Sequence, residues 1–274
     1  MLRNSTRRVS FWRLVAMLPV ILIGFISIIG SGGNSDDGDS HTRFEEKEPF
    51  SFDVVVGSQD QLNLLGVNGE ITITGESGAD SVLIAGVKRV QSSISAQDAK
   101  DYLPQLEVDW ESLANEINVE TIQPQDTADR NYRIDYTLTL PSYFKVEVNS
   151  INGVVTLDSI DNDVAVSMAN GNVALMNIHG SASVALANGT IESDVILPLN
   201  GTIDLSTATG NIHLDIPSNT SAEFSATVLF GNINDSNLVF QNEERTPTSL
   251  SGTLGSGQGT ISLNAMRNIS VSGF

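Results

Sequence analysis

The 274-residue chain contains no cysteine. Disulfide staples, thiolate nucleophiles and cysteine-bound metals are therefore excluded. Aromatic residues make up 6% of the sequence, with tryptophan only as Trp12 and Trp110, which is poor material for an aromatic-lined substrate cleft. Lysine and arginine number 14 against 33 acids, a formal net charge of −19, so the basic footprint that nucleic-acid binding needs is missing. The histidines, His41, His179 and His213, are scattered and form no metal-binding motif. No nucleophile elbow and no phosphate-cradling loop occurs. Glycosidases built on β-helices use clustered carboxylates beside a cleft. Here the acids are spread, so a carbohydrate-active enzyme is the remotest reading. The chain is expected to be no enzyme and to use no cofactor.

What the sequence does have is a period. Gly153, Gly171 and Gly189 stand 18 residues apart, and Gly210 and Gly231 follow at intervals of 21. Asn152, Asn170 and Asn188 precede the first three, and Val155, Val173, Ile191, Ile212 and Ile233 lie two positions after the five glycines. A fixed period near 20 marks a stacked array. Within each copy the apolar residues alternate, as in Val164, Val166 and Met168, which reads as short half-buried strands.

Two architectures fit this pattern. In an antiparallel meander every Asn-Gly would be a two-residue hairpin turn. In a solenoid every Asn-Gly would be one corner of a coil. Asn-Gly or Thr-Gly corners alternate with a varied second set: Asp161 to Asp163, His179-Gly180, Pro198 to Gly201 and Pro217 to Asn219. The repeat therefore holds two strands, which favours an all-β, parallel β-solenoid with about 18–21 residues per coil. Glycine suits such corners because it reaches positive φ without steric cost. The asparagine column reads as a structural ladder of stacked amides.

The amino-terminal 30 residues stand apart. Arg3, Arg7, Arg8 and Arg13 precede an apolar run from Leu14 to Gly30, broken by Pro19 and Ser27. A basic region before an apolar core is an export signal or a signal anchor. The anchor is the favoured reading, with residues 14–30 in the inner membrane and the remainder outside it, periplasmic or at the surface. Ser31 occupies the place of a lipidated cysteine, so that form of anchoring is excluded. Residues 31–48 read as a flexible acidic linker. The segment 49–148 reads as an amino-terminal cap region, and 149–274 as the main solenoid. In the cap region Asn68-Gly69-Glu70-Ile71 carries the array's own signature. Ser95-Ala96-Gln97-Asp98 has the spacing of a capping box, opening one short helix that Pro104 stops. Leu106 to Val119 and Tyr132 to Leu140 are expected to pair as strands, and Leu238 to Leu250 to form an excursion from one corner.

These motifs, together with Tyr136-Thr137-Leu138-Thr139-Leu140-Pro141, Ser221 to Ala226 and Gly255-x-Gly257, resemble a large bacterial family of exported repeat domains named as candidate adhesins. The resemblance runs from Phe50 to the carboxy terminus. It implies a β-solenoid fold and an envelope location, with no catalytic residues.

Asp158, Asp161 and Asp163 crowd one corner and are the sequence's calcium candidates. They lack a full loop of ligands, so a solvated acidic corner is the plainer expectation and no metal is assigned. The function expected is a surface module that binds a protein or glycan along its sheet faces. The partner would be neutral or basic, since an acidic polymer would be repelled. An envelope scaffold or sensor part serving a neighbouring membrane protein is the alternative.

Overall fold

Alternating apolar residues give each strand one buried and one exposed face, and stacking such strands makes a continuous core. A computed structural model describes residues 43–125, 127 and 129–274. The anchor reading falls on residues outside these. Among the described residues no helix is long and apolar enough to cross a membrane.

The amino-terminal part holds β1 (Phe44–Val55), β2 (Gln61–Leu65), β3 (Asn68–Glu76), β4 (Ser81–Ser92), α1 (Ala96–Tyr102), β5 (Glu107–Ser112), β6 (Glu116–Ile122) and β7 (Arg130–Pro141). The array follows as β8 (Lys145–Asp158), β9 (Val164–Ile178), β10 (Ala182–Asn188), β11 (Ile191–Val195), β12 (Thr202–Thr209), β13 (Ile212–Ile216), β14 (Ala222–Val228) and β15 (Ile233–Ser236). The chain ends with β16 (Phe240–Thr246), β17 (Ser249–Leu254), β18 (Gly259–Ala265) and β19 (Ile269–Gly273).

The strands form two stacks joined through β8 and β9, which run through their Asn-Gly corners unbroken. One stack runs β5, β6, β2, β8, β9, β10, β12, β18, β14, β17, β16, and is parallel from β6 to β14. The other runs β1, β4, β7, β3, β8, β9, β11, β13, β19, β15, and is parallel from β7 onward. Parallel pairing removes the meander alternative and makes the fold solenoid-like. The register repeats the sequence period: Val146 lies against Val164, Val164 against Ala182, and Ala182 against Ile203. Buried columns result, such as Ile71, Val155, Val173, Ile191, Ile212 and Ile269, each at most 2% exposed.

Stacking order departs from chain order at both ends. The β2–β3 coil lies between the β6–β7 coil and β8. The last coil, β18–β19, lies between β12–β13 and β14–β15. Leu106 to Val119 does not pair with β7. It makes the hairpin β5–β6, because a turn at Leu113 to Asn115 doubles the chain back, and β6 and β7 enter different stacks. The Leu238 to Leu250 excursion is the strand β16 and the start of β17, an antiparallel hairpin that ends the first stack.

Helix α1 is capped by Ser95, whose side chain accepts from the Asp98 backbone N–H at 3.1 Å. The reciprocal half of the capping box is replaced. The Asp98 carboxylate instead accepts from Ser92 Oγ (2.6 Å) and from Arg130 (2.7 and 2.8 Å), tying the helix to β4 and β7. The hydrogen bond from Arg130 holds the Asp98 carboxyl below its usual range. The helix gives way to a 3-10 turn, Leu103–Gln105, at Pro104.

Candidate functional site

The corner residues are organised by backbone contact. Gly69, Gly153, Gly171 and Gly189 have φ of 132°, 138°, 136° and 139°. A Cβ on Gly153 would overlap the carbonyl oxygen of Gly69, one on Gly171 that of Gly153, and one on Gly189 that of Gly171. Gly210 keeps its place in this column, meeting the Gly189 carbonyl, without a left-handed φ. Gly231 does not stack on Gly210. It lies against Arg267 and Asn268, because the last coil has entered between them.

The asparagines form an amide ladder. Asn152 donates to Asn68 (2.7 Å), Asn170 to Asn152 (2.9 Å) and Asn188 to Asn170 (2.9 Å). Beyond Thr209 a second ladder continues through Asn211, Asn268 and Asn232. The side-chain amides of Asn152, Asn170, Asn188 and Asn268 each donate to a neighbouring asparagine, which makes them parts of the corner. Asn170→Ala is expected to destabilise the fold by about 1 kcal/mol, measured by urea unfolding with an unchanged slope.

The three aspartates of the acidic corner face different partners. Asp158 accepts from Ser159 (2.9 Å) and Asn177 (3.2 Å), Asp161 contacts His179 (2.9 Å), and Asp163 accepts from the Ser181 backbone N–H (2.8 Å). Hydrogen bonds from Ser142 and then His179 hold Asp161 below the usual carboxylate range. Among the described residues no group of three or more His, Asp or Glu side chains gathers as a metal site.

One outer face differs from the rest of the molecule. Across β9, β10, β12, β18 and β14 the register aligns Ala165, Ser183, Asp204, Ser262 and Ser225, and beside them Ser167, Ala185, Ser206, Asn264 and Thr227. These are small side chains with one carboxylate, on parallel strands. The corresponding face of the other stack carries charge on β11 and β13 and small polar residues, Ser270, Ser272, Asn234 and Ser236, on β19 and β15. There Glu192 lies in register with His213, and Asp194 with Asp215. Burial and then the Asp215 charge push the Asp194 carboxyl above its usual range. A carboxyl raised in the folded state favours folding when protonated and opposes it when ionised. Asp194→Asn is therefore expected to stabilise the protein at pH 7, by about 0.2–1 kcal/mol. The gain should vanish as the pH falls below the carboxylate range. Melting curves at pH 7 and pH 3 test it.

A second feature left no mark in the repeat. Glu45, Arg89, Gln91, Asn131, Arg133 and Asp135 line a shallow cleft of about 220 Å³ on β1, β4 and β7. Burial pushes Asp135 up, but hydrogen bonds from Arg133, the Glu70 backbone and Arg89 outweigh it, leaving the carboxyl below its usual range. Its signal in sequence is the alternation Asn131, Arg133, Asp135, which puts three polar residues on one strand face.

Stacked parallel coils, glycine corners and strands with one buried and one exposed face define a nearly all-β repeat module. The chain belongs to the Toastrack DUF4097 family, whose pattern matches residues 35–271. Similar solved structures include a candidate cell adhesion protein from Clostridium sporogenes, 14% identical, with TM-score 0.44, covering 83% of this chain and 100% of that one. A candidate adhesin from Bacteroides fragilis is 11% identical, with TM-score 0.30 and coverage of 82% and 97%. A candidate lipid binding protein from Parabacteroides distasonis is 12% identical, with TM-score 0.28 and coverage of 81% and 96%. No curated protein matches the chain.

Proposed function

We propose that the protein is a non-catalytic envelope module that binds an extended macromolecule, a protein or a glycan, along its sheet faces. The observation that carries this reading is the small-residue face of β9, β10, β12, β18 and β14. A chain lying across it meets hydroxyls, two alanine methyls and the Asn264 amide at strand spacing, about 4.8 Å apart, with Asp204 the one carboxylate among the ten aligned positions. The interior is filled by the protein's own side chains, so binding at this face is lateral. Export and attachment through residues 14–30 would place this face outside the cytoplasmic membrane.

In-cell crosslinking from a photoreactive residue at Ser206, with Asp215 on the opposite stack as the comparison, tests the reading. Capture of one discrete envelope partner from position 206 and not from 215 is expected. Equal capture from both positions would count against a dedicated face. Capture of a single integral membrane protein would favour a scaffold or sensor component.

A further inference from the structure

The basic residues of this acidic chain are unevenly placed. Of the 10 lysines and arginines from position 43 onward, five lie on β1, β4 and β7, alongside five acids. The remaining described and linking residues carry five bases against 25 acids. These three strands are thus locally neutral on a strongly anionic body.

Their register is unusual. Lys47 lies opposite Arg89, and Arg89 opposite Arg133. Like charges directly opposite one another destabilise a sheet. Two carboxylates hold the row together. Glu45 lies 2.7 Å from Lys47 and 3.9 Å from an Nη of Arg89, and Asp135 pairs with the Nε of both Arg89 and Arg133. Because the Asp135 contacts use Nε, the guanidinium groups are fixed while their Nη atoms keep their hydrogen-bonding capacity, one of Arg89 standing at ion-pair distance, 3.9 Å, from Glu45. Among the described residues no hydrogen bond uses the Nη groups of Arg89 or Arg133, or the Asn131 carboxamide. All of these residues except Lys47 line the same cleft.

We propose that this cleft binds one acidic sugar unit of a polysaccharide. Its carboxylate or sulfate would sit on Arg89 and Arg133, and its hydroxyls on Glu45, Gln91, Asn131 and Asp135. Arginine's planar fork matches an oxyanion bidentately. A bare phosphate would also face two carboxylates, whereas a sugar ring supplies hydroxyl donors for them. The cleft is smaller than the roughly 300–1,000 Å³ that encloses a drug-sized ligand, so it suits one ring of a chain that continues over the surface. An anionic bilayer fits less well, because it would bring an extended negative plane against the whole acidic body, while a single polymer strand touches only the neutral strands. This inference goes beyond the surface-binding reading and concerns a different face; it departs from the expectation that net charge repels an acidic polymer, because β1, β4 and β7 are locally neutral.

The test measures binding of a fluorescently labelled galacturonic acid hexamer to the full-length protein. A neutral galactose hexamer, inorganic sulfate and phosphatidylglycerol vesicles are the comparisons. Saturable binding of the acidic hexamer is expected, at least tenfold tighter than the neutral one and weakened by salt. Arg133→Gln and Arg89→Gln should each weaken it tenfold or more, while Arg133→Lys should retain part of it. Arg133 has a side chain 48% exposed, so its loss leaves the fold intact where Arg89→Gln could disturb it. No saturable binding of the hexamer, binding unchanged in Arg133→Gln, equal binding of the neutral hexamer, or binding to vesicles alone would each overturn the proposal. If crosslinks from position 206 persist while the hexamer fails to bind, this inference falls and the surface-binding reading stands. Hexamer binding without those crosslinks gives the reverse.

Discussion

Gly171→Val is expected to lower the melting temperature by about 4–24 °C. Two effects add. At φ of 136° a residue with a Cβ is strained, by about 1–3 kcal/mol. The new Cβ would also overlap the Gly153 carbonyl oxygen and lie 2.8 Å from its carbon. Neither neighbour can retreat, since Gly153 is itself stacked on Gly69, and Gly189 on Gly171. Crowding of this kind adds about 1–3 kcal/mol. In a domain of this size each kcal/mol moves the midpoint by about 2–4 °C. Two other glycines separate the effects. Gly78 has φ of 83° with no atom within 4 Å of an added Cβ, so Gly78→Ala isolates backbone strain. Gly210 lacks the left-handed φ but would meet the Gly189 carbonyl, so Gly210→Ala isolates crowding. Equal melting temperatures for Gly171→Val and Gly78→Ala would show that the stacked corner is not what the glycine serves.

The corner was legible because it repeats. The 18-residue spacing of Gly153, Gly171 and Gly189 is a local count, and parallel pairing of β8, β9 and β10 preserves it as a register. The signature at Asn68-Gly69 was legible for the same reason, and its asparagine does receive the Asn152 amide. Stacking order was not legible. Insertion of β2–β3 and of β18–β19 between other coils leaves each strand's own pattern of burial unchanged, since any coil with Ile and Leu at the right positions fills the same column. Neighbour choice is a long-range property that periodicity does not encode. The β5–β6 hairpin was missed because its turn, Leu113 to Asn115, contains no glycine or proline. The cleft was missed because its residues are brought together across three strands. Arg89 and Arg133 are far apart in sequence, and only the antiparallel register of β4 and β7 sets them opposite each other.

That register of coils yields the second large effect, a truncation. Removing residues 259–274 is expected to unfold the carboxy-terminal third of the array while leaving β8 and β9 folded. In a solenoid stacked in chain order, the last coil is an end unit, and its loss peels one layer. Here β18 has a parallel neighbour on each side, β12 and β14, and β19 lies between β13 and β15. The deletion withdraws Ile261, Leu263, Ile269 and Val271, all 0% exposed, from the core. At about 1.5–3 kcal/mol for each buried aliphatic side chain, this loss is comparable with the roughly 5–15 kcal/mol that stabilises a whole domain. It also strands β15, whose strand pairing among the described residues is with β19 alone. Hydrogen exchange on the full chain and on a chain ending at Gln258 tests this. Protection should disappear from Ala222–Val228 and Ile233–Ser236, weaken at Ile203 and Leu205, and persist at Val155 and Val173. Unchanged protection across β14 in the shortened chain would mean that the last coil is an end unit after all, and that the intercalated order is wrong.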